Sequence, residues 1–296
     1  MNTDQMAAKI REGQGFIAAL DQSGGSTPKA LRGYGVEDSE WAGDEEMFAR
    51  IHEMRSRVIT SPCFGSGKVI GAILFEKTMD GQVDGKPTTY ALKDRGIVPF
   101  IKVDQGLADE SDGVQLMKPL DKLPALLEKS VGKGMFGTKM RSVIKSANAG
   151  GIAAIVEQQF EVGNRIADAG LVPMLEPEYD IHAADRAEGE DMLLAEIMKG
   201  LDALPEARTV MLKLSIPVKP GLYAPAIEHP NVLRVVALSG GYSTDDACAH
   251  LARNPGMIAS FSRGLLQDLR KDQSDAEFDA ALGGAIDKIA SASCSG

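Results

Sequence analysis

The sequence predicts an α/β fold, namely a (β/α)8 (TIM) barrel with an N-terminal helical extension. Eight short apolar runs recur along the 296 residues, and glycine, proline or polar residues and then a helix-like segment follow each run. Strands that alternate with helices indicate βαβ units and a parallel sheet. Runs that are apolar throughout are typical of strands covered on both faces. A doubly wound sheet fits the same alternation and stays the alternative fold.

The apolar runs define the predicted strands in chain order. They are residues 15–21, 69–78, 97–104, 135–141, 171–178, 209–216, 233–241 and 257–263. Amphipathic segments such as 151–170 lie between them, and residues 1–14 and 31–60 are predicted to add helical material near the N-terminus. Residues 267–296 are predicted to form a terminal helix with a short tail. Barrels of this kind often use about 200–250 residues, so we expect one domain over residues 1–296.

Composition and charge exclude several classes of function. The chain has 32 Lys and Arg against 42 Asp and Glu, and the net charge of −10 argues against general binding to nucleic acid or to an anionic membrane. No run of 18 apolar residues and no signal-peptide core occur, so we expect a cytoplasmic protein without a membrane span. The three cysteines and four histidines are scattered, which predicts no disulfide framework and no metal site, although three histidines could still converge on a metal through the fold. We also expect no cofactor.

Four consecutive predicted strands end in polar residues spaced two apart. The pairs are Lys102 with Asp104, Lys139 with Arg141, Glu176 with Glu178, and Lys213 with Ser215. Residues two apart on a strand share a face, and barrel enzymes carry their catalytic residues at the carboxyl ends of the strands. The first residues of these pairs recur at intervals of 37 residues, which indicates a regular pattern. A set of buried salt bridges that only closes the barrel mouth is the structural alternative.

The residue types in this cluster favour lysine chemistry. Burial and neighbouring cations disfavour the charged form of a lysine, and a neutral lysine can attack a carbonyl to form a Schiff base. Lys213 lies in an otherwise apolar run and is therefore the candidate nucleophile, although a lysine there could also extend to solvent. Glu176 or Glu178 could transfer the protons that this chemistry requires. Asp21, at the end of the first strand, could act on a substrate hydroxyl.

The loops after three of the predicted strands are predicted to bind phosphate. Residues 239–245 follow the seventh strand, and residues 260–263 follow the eighth and end in Arg263. The loops after strands 7 and 8 form the usual phosphate site of such barrels. Residues 21–28 follow the first strand and are also rich in glycine and hydroxyl groups. Each loop alone could be an ordinary turn, but two of them on opposite sides of the lysines predict a substrate with two phosphates.

Seven stretches of the chain resemble class I fructose-1,6-bisphosphate aldolases, specifically the short bacterial form. They are FIAALDQSGGSTPKALRGYGV, FIKVDQG, FGTKMRS, LVPMLEPE, VMLKLSIP, VVALSGGYS and SFSRGL, in family order over roughly residues 5–290. The resemblance implies a (β/α)8 barrel and metal-independent retro-aldol cleavage of fructose 1,6-bisphosphate to dihydroxyacetone phosphate and glyceraldehyde 3-phosphate, in glycolysis and gluconeogenesis. Members are often tetramers, which makes a homo-oligomer compatible with the resemblance.

The resemblance also implies a role for each catalytic candidate. Lys213 would form the Schiff base, and Glu176 would be the main proton-transfer group. Glu178 would tune Glu176 and orient Lys213. Asp21 would handle the proton of the C4 hydroxyl, and Lys139, with Arg141 beside it in TKMR, would supply positive charge at the reacting carbons.

The remaining candidates would bind the phosphates. Those implied at the C6 phosphate are Lys102, Ser23 and Ser26. Those implied at the C1 phosphate are Ser239, Gly240, Gly241 and Arg263. Together with the other cations of the cluster, these residues lead us to expect a local basic pocket inside an acidic protein.

Two departures from the animal members of the family limit the resemblance. Gln22 follows Asp21 where the animal proteins have glutamate, and we expect a small effect. The sequence lacks their C-terminal tail ending in tyrosine, which leaves Tyr179 or a water as candidates to protonate the enamine. A related lysine-dependent aldolase for a substrate with one phosphate stays open as an alternative, as does a non-catalytic barrel that binds sugar phosphates or protein partners.

Overall fold

The centre of the fold is a sheet of parallel strands that curls into a nearly closed barrel. A computed structural model describes residues 1–65 and 67–295, so Gly296 of the predicted tail lies outside the described residues. The barrel strands are β1 Phe16–Leu20, β2 Val69–Leu74, β3 Val98–Lys102, β4 Gly137–Ile144, β5 Val172–Tyr179, β6 Val210–Ser215, β7 Val232–Leu238 and β8 Met257–Ala259. They are paired in chain order, which confirms the predicted (β/α)8 barrel and rules out a doubly wound order.

The helices of the described residues surround these strands. They are α1 Thr3–Glu12, α2 Ser26–Tyr34, α3 Gly43–Thr60, α4 Glu76–Asp80, α5 Thr88–Asp94, α6 Leu123–Gly132, α7 Ala149–Asp168, α8 Arg186–Asp202, α9 Ala224–Ile227, α10 Thr244–Leu251, α11 Arg263–Leu266 and α12 Asp275–Ser293. The predicted helical region 31–60 is interrupted, because Gly35 adopts a positive φ of 89° that ends α2. None of the described helices has the length and apolar character needed to cross a membrane.

Two short antiparallel pairs and two 3₁₀ turns complete the described secondary structure. Gln82–Val83 pairs with Lys86–Pro87, and Val114–Gln115 adds an antiparallel partner to the end of β4. The 3₁₀ turns are Asp38–Glu40 and Pro62–Gly65. These elements lie outside the ring of parallel pairings, so they decorate the barrel without changing its strand order.

Helix α1 closes the amino-terminal end of the barrel. Asn2 begins it with a capping box, in which its side chain accepts the Gln5 N–H at 2.9 Å. Met6 and Ile10 of this helix are buried in one apolar cluster with barrel side chains such as Phe100 and Met211. A second, larger cluster lies between the strands and the outer helices. The interior below the charged residues is therefore a packed apolar floor rather than a channel.

The seam between β1 and β8 has the weakest pairing in the barrel. The other neighbouring strands share runs of register, whereas the described backbone hydrogen bonds across this seam amount to one, from the Ala19 N–H to the Phe261 oxygen at 3.3 Å. Strands β5 and β6 also separate toward their carboxyl ends. There the Ser215 hydroxyl accepts the Tyr179 N–H at 3.0 Å and donates to its oxygen at 2.7 Å.

We expect Ile10→Ala to destabilise the protein by about 2–5 kcal/mol, because it opens a cavity in the floor of the barrel. Arg11→Ala changes an exposed position of the same helix and is expected to stay within about 0.5 kcal/mol of wild type. Urea unfolding of both variants provides the measurement. Equal stability of the two variants would contradict the role of α1 as the barrel floor.

Candidate active site

The inner face of the barrel changes from apolar to charged toward the carboxyl ends of the strands. On β5, Met174 belongs to the apolar floor and Glu176 follows two residues later. On β6, Met211 belongs to the floor and Lys213 follows it in the same way. Alternation along the strand therefore places these charges directly above packed apolar side chains, as the two-residue spacing predicts.

Four of these side chains form a continuous central ion-pair chain, which consists of Asp21, Lys139, Glu176 and Lys213. The Lys139 Nζ lies 2.6 Å from Asp21 Oδ2 and 2.9 Å from Glu176 Oε2. The other carboxylate oxygen of Glu176, Oε1, lies 3.1 Å from Lys213 Nζ. The Lys139, Glu176 and Lys213 side chains are at most 5% exposed, so one carboxylate bridges two buried lysines.

The two lysines of the central ion-pair chain, Lys139 and Lys213, differ in their surroundings. Burial lowers the pKa of Lys139, but the carboxylates of Asp21 and Glu176 outweigh burial and raise it well above its usual range. Burial likewise raises the pKa of Asp21, but Lys139 and Lys213 outweigh it and hold that pKa well below its usual range. Lys139 therefore remains an ammonium ion at neutral pH. Lys213, in contrast, contacts one carboxylate oxygen, Oε1 of Glu176.

An outer set of charges surrounds the central chain. Lys102 Nζ lies 2.5 Å from Asp104 Oδ1, and Arg141 Nε lies 2.5 Å from Glu178 Oε2. Asp104 also accepts the backbone N–H of Arg141 at 3.2 Å, which links the two pairs. Burial lowers the pKa of Arg141, but its bond to Glu178 outweighs burial and raises it above its usual range.

The cluster is charge-balanced, so the expectation of a basic pocket is wrong for most of its members. Each of the four cations on β3, β4 and β6 contacts a carboxylate, because uncompensated charge is costly at this depth in a barrel. Arg263 differs, since it is exposed at the start of α11 and has no acidic partner among residues 1–65 and 67–295. It is therefore the predicted phosphate ligand whose charge is available to an anion.

One open cavity of about 1770 Å³ brings all the predicted site residues together. The predicted residues that line it are Asp21, Ser23, Ser26, Lys102, Lys139, Arg141, Glu176, Glu178, Lys213, Ser239, Gly240, Gly241 and Arg263. Within the described part of the chain, no three His, Cys, Asp or Glu side chains are placed to hold a metal ion. The cavity thus offers lysines, carboxylates, hydroxyl groups and loop backbone to a ligand.

The loop after β7 has the geometry expected of a close backbone approach. Gly240 and Gly241 adopt φ values of 61° and 125°, which favour glycine. A Cβ at Gly240 would lie 2.5 Å from the Ile181 side chain, so this position has no space for another residue. Ser243 then caps α10 by accepting the Asp246 N–H at 3.1 Å.

The loop after β1 is placed differently from the prediction. Because β1 and β8 are adjacent, this loop lies beside the loop after β8 across the seam, and the two are not on opposite sides of the lysines. Ser26 does not cap α2, since its hydroxyl accepts the Ser23 N–H and donates to the Ser23 oxygen, both at 2.9 Å. This turn keeps both hydroxyl-bearing residues at the edge of the cavity.

Tyr179 does not reach the site. It follows Glu178 on β5, so alternation turns its side chain to the outer face, where it is fully buried. Its hydroxyl lies 3.4 Å from Asp185 Oδ1, and burial raises the pKa of this phenol well above its usual value. Its ring occupies the space that a Cβ at Gly189 would need. The interpretation of Tyr179 as a proton donor in the cavity is therefore wrong.

The sequence prediction includes Ser260 and Ser262 only as members of the loop 260–263, and it does not include Arg186. Ser260 and Ser262 follow Ile258 at two-residue spacing and line the cavity, and the buried Ser260 hydroxyl has no hydrogen-bond partner among the described residues. The same spacing rule identifies them once it is applied to uncharged residues. Arg186 is buried beneath the loops after β6 and β7, where it contacts Glu190 and donates to Tyr242 at 3.0 Å. Arg186 and Glu190 stand four residues apart on α8, a spacing that is also common in exposed helix ion pairs, so the sequence does not indicate that this pair is buried.

Comparison with known proteins agrees with this geometry. The family model for class I fructose-bisphosphate aldolase matches residues 3–214 of the chain. The chain belongs to the class I fructose-bisphosphate aldolase family. The match to the aldolase family includes Lys213 and the rest of the central ion-pair chain, and it ends before the loops after β7 and β8.

Solved structures support the barrel fold of this aldolase-family chain. A fructose-bisphosphate aldolase from Plasmodium falciparum, solved in a ternary complex with TRAP and a small-molecule inhibitor, superimposes with a TM-score of 0.79. It is 19% identical, and the alignment covers 99% of this chain and 95% of that one. A protein from Corynebacterium glutamicum superimposes with a TM-score of 0.54 at 17% identity, over 98% and 92% of the two chains. At these identities the similarity concerns the fold.

Asp21→Asn is expected to lower the free energy of unfolding by about 3–5 kcal/mol at neutral pH, because Lys139 then keeps a buried charge with one carboxylate fewer. The difference from wild type is expected to shrink as pH falls below about 5. There the unfolded chain protonates Asp21 near its ordinary pKa, whereas the folded chain keeps it ionised, so the stabilisation by Asp21 is lost with falling pH.

Urea unfolding at about pH 7, 5 and 3 measures this dependence. Asp38→Asn, in an exposed ion pair with Arg32, is the matched control and is expected to change stability by less than about 1 kcal/mol. A difference between wild type and Asp21→Asn that stays constant over this range would contradict the assignment.

Proposed function

We propose that this aldolase-family protein cleaves fructose 1,6-bisphosphate reversibly to dihydroxyacetone phosphate and glyceraldehyde 3-phosphate through a Schiff base on Lys213. The observation that carries the proposal is the bridging position of Glu176 between Lys139 and Lys213. It gives one lysine a proton acceptor at 3.1 Å and keeps the other lysine charged. Substrate class, reaction and residue roles follow from this arrangement together with the family.

Glu176 would serve Lys213 as base and then as acid. It takes a proton from the Lys213 ammonium, and the free amine attacks the C2 carbonyl of the open-chain sugar to form a carbinolamine. Protonated Glu176 then donates to the carbinolamine hydroxyl, which leaves as water while the nitrogen lone pair forms the iminium bond. Glu178 holds Arg141 beside Glu176, which keeps positive charge near this carboxylate.

Asp21 and Lys139 would handle carbon–carbon cleavage. Asp21 accepts the proton of the C4 hydroxyl, the C4 oxygen forms the aldehyde, and the electrons of the C3–C4 bond move to the iminium to give an enamine. Lys139 Nζ lies 2.6 Å from Asp21, so its ammonium can stabilise the negative charge that develops on the C4 oxygen. Since Tyr179 faces the outer helices, we assign protonation of the enamine to a water in the open cavity.

The loops after β1, β7 and β8, together with Lys102 on β3, would bind the two phosphates. Ser23, Ser26 and Lys102 are proposed for the C6 phosphate. Ser239, Gly240, Gly241 and Arg263 are proposed for the C1 phosphate, where the positive-φ glycines leave backbone accessible to an anion. Two such regions favour a bisphosphate over a substrate with one phosphate. Comparison of catalytic efficiency on fructose 1,6-bisphosphate and fructose 1-phosphate distinguishes these two substrates.

Borohydride reduction in the presence of dihydroxyacetone phosphate tests the Schiff base directly. We expect a stable adduct that peptide mapping places on Lys213. Lys213→Arg is expected to lose activity by at least about a thousandfold, because arginine cannot supply a neutral amine. Lys199→Arg, an exposed position on α8, is the control and is expected to retain activity. An adduct on another lysine, or full activity of Lys213→Arg, would sink the proposal, and binding without turnover would favour a non-catalytic barrel.

Removal of metal ions tests whether the cleavage reaction proceeds without a metal. The proposal needs a proton acceptor and an amine, and both are side chains of the chain, so incubation with EDTA is expected to leave the cleavage rate unchanged within about twofold. The rate is measured before and after dialysis against the chelator. Loss of activity that Zn²⁺ or another divalent ion restores would overturn the metal-independent mechanism.

A further inference from the structure

The side chain of Gln22 crosses the weakly paired seam of the barrel. Its Nε2 donates to the Ser262 hydroxyl on the far side of the seam and lies 3.3 Å from the Ala19 oxygen on the near side. Ala19 also provides the described backbone hydrogen bond across the seam, to Phe261. Gln22 thus adds a second link where the strands share one backbone bond.

Arg55 holds Gln22 in this position. It lies on α3, is fully buried, and donates through Nη2 to the backbone oxygen of Gln22 at 2.6 Å and to its Oε1 at 3.1 Å. Its Nη1 donates to the Thr78 hydroxyl on α4 at 2.7 Å. Because Arg55 can only donate, it fixes the amide orientation of Gln22, with the oxygen toward Arg55 and the NH₂ toward the seam.

A fully buried guanidinium needs a reason to be there, since burying it is costly. Burial lowers the pKa of Arg55 to about 10, with partial compensation from the charge of Asp21, so the group remains a cation at neutral pH. No carboxylate contacts it within 4 Å among residues 1–65 and 67–295. Its hydrogen bonds go to Thr78 and to Gln22, the residue that follows Asp21. The buried guanidinium of Arg55 therefore serves to hold the loop after β1 in place.

We propose that Gln22, held by Arg55, is a positioning residue that ties the loop after β1 to the loop after β8 and so sets the spacing between the two phosphate subsites. The inference rests on the proposed function, which assigns Ser23 and Ser26 to one phosphate and Arg263 to the other. Both loops line the cavity on either side of the Gln22–Ser262 contact. A change at Gln22 therefore acts on the phosphate subsite across the seam as well as on its own.

Fructose 1-phosphate is the informative substrate, because its single phosphate belongs to the loops after β7 and β8. Gln22→Met keeps the length of the side chain and removes its polar atoms. We expect it to raise KM for fructose 1-phosphate by about tenfold with little change in kcat, which corresponds to loss of about one hydrogen bond. Gln82→Met, an exposed glutamine without a described side-chain hydrogen bond, is the matched control.

A conservative substitution provides the rescue. Gln22→Glu still accepts from Arg55, and the Ser262 hydroxyl can turn to donate to the new carboxylate. We expect this variant to recover KM to within about threefold of wild type. Ser262→Ala removes the far partner, and the double variant with Gln22→Met is expected to be no worse than the more impaired single variant, since both changes break one contact.

Hydrogen exchange separates this inference from the proposed function. If the wild type cleaves neither sugar phosphate, the proposed function fails, whereas faster amide exchange of residues 260–266 in Gln22→Met still supports the tie. If Gln22→Met does not fold, Ser262→Ala carries the test from the other side through faster exchange of residues 22–28. An effect of Gln22→Met on fructose 1,6-bisphosphate alone, additive effects of the two changes, or unchanged exchange in the opposite loop would overturn the inference.

Discussion

The shared carboxylate of Glu176 is the contact on which the rest of the site depends. Two lysines whose side chains are at most 5% exposed need an anion to compensate their charge, and Glu176 contacts one lysine with each oxygen. Asp21 compensates the remaining charge from the neighbouring side. The apolar floor beneath, closed by α1, excludes water and makes each of these contacts stronger than it would be at the surface. The apolar floor and the ion pairs therefore depend on each other in this barrel, and Glu176 on β5 is the residue that connects them.

Lys139 and Lys213 carry the same amino group but contact different numbers of carboxylates. Lys139 touches two carboxylates and stays charged, whereas Lys213 touches one and faces a group able to take its proton. A fixed cation and the proposed nucleophile then lie on opposite sides of the same carboxylate, an arrangement that suits the proposed Schiff-base chemistry. The outer pairs on β3, β4 and β5 hold this geometry in register, since Asp104 accepts the Arg141 backbone N–H.

The features that could be predicted from the sequence depend on residues that are close together along the chain. Apolar runs located all eight strands, and the two-residue spacing identified Lys102, Lys139, Glu176 and Lys213 because inner and outer faces alternate strictly. The same alternation places the Tyr179 side chain on the outer face, although this residue is next to Glu178 in the sequence. Contacts between distant segments were beyond this reasoning. Arg55 and Arg186 are bonded to the loop residue Gln22 and to Tyr242, respectively, and the patterns of their helices do not indicate these distant partners. The neighbouring position of the loops after β1 and β8 follows from barrel closure.

The regular interval of 37 residues between the strand-end charges has an evolutionary consequence. Glu176 and Lys213 are positioned by their two-residue offset from Met174 and Met211, the apolar residues below them on the same strands. Their positions do not depend on the length of the helix and loops that connect the strands. Insertions and deletions in the connections at the amino-terminal end of the barrel can therefore accumulate without moving a charge. A single-residue deletion in β5 before Glu176 would instead turn this carboxylate toward the outer helices. Lys213 would then lose its carboxylate partner, and Lys139 would keep Asp21 alone. Divergent sequences with this site are thus expected to vary in interval while each strand keeps its parity.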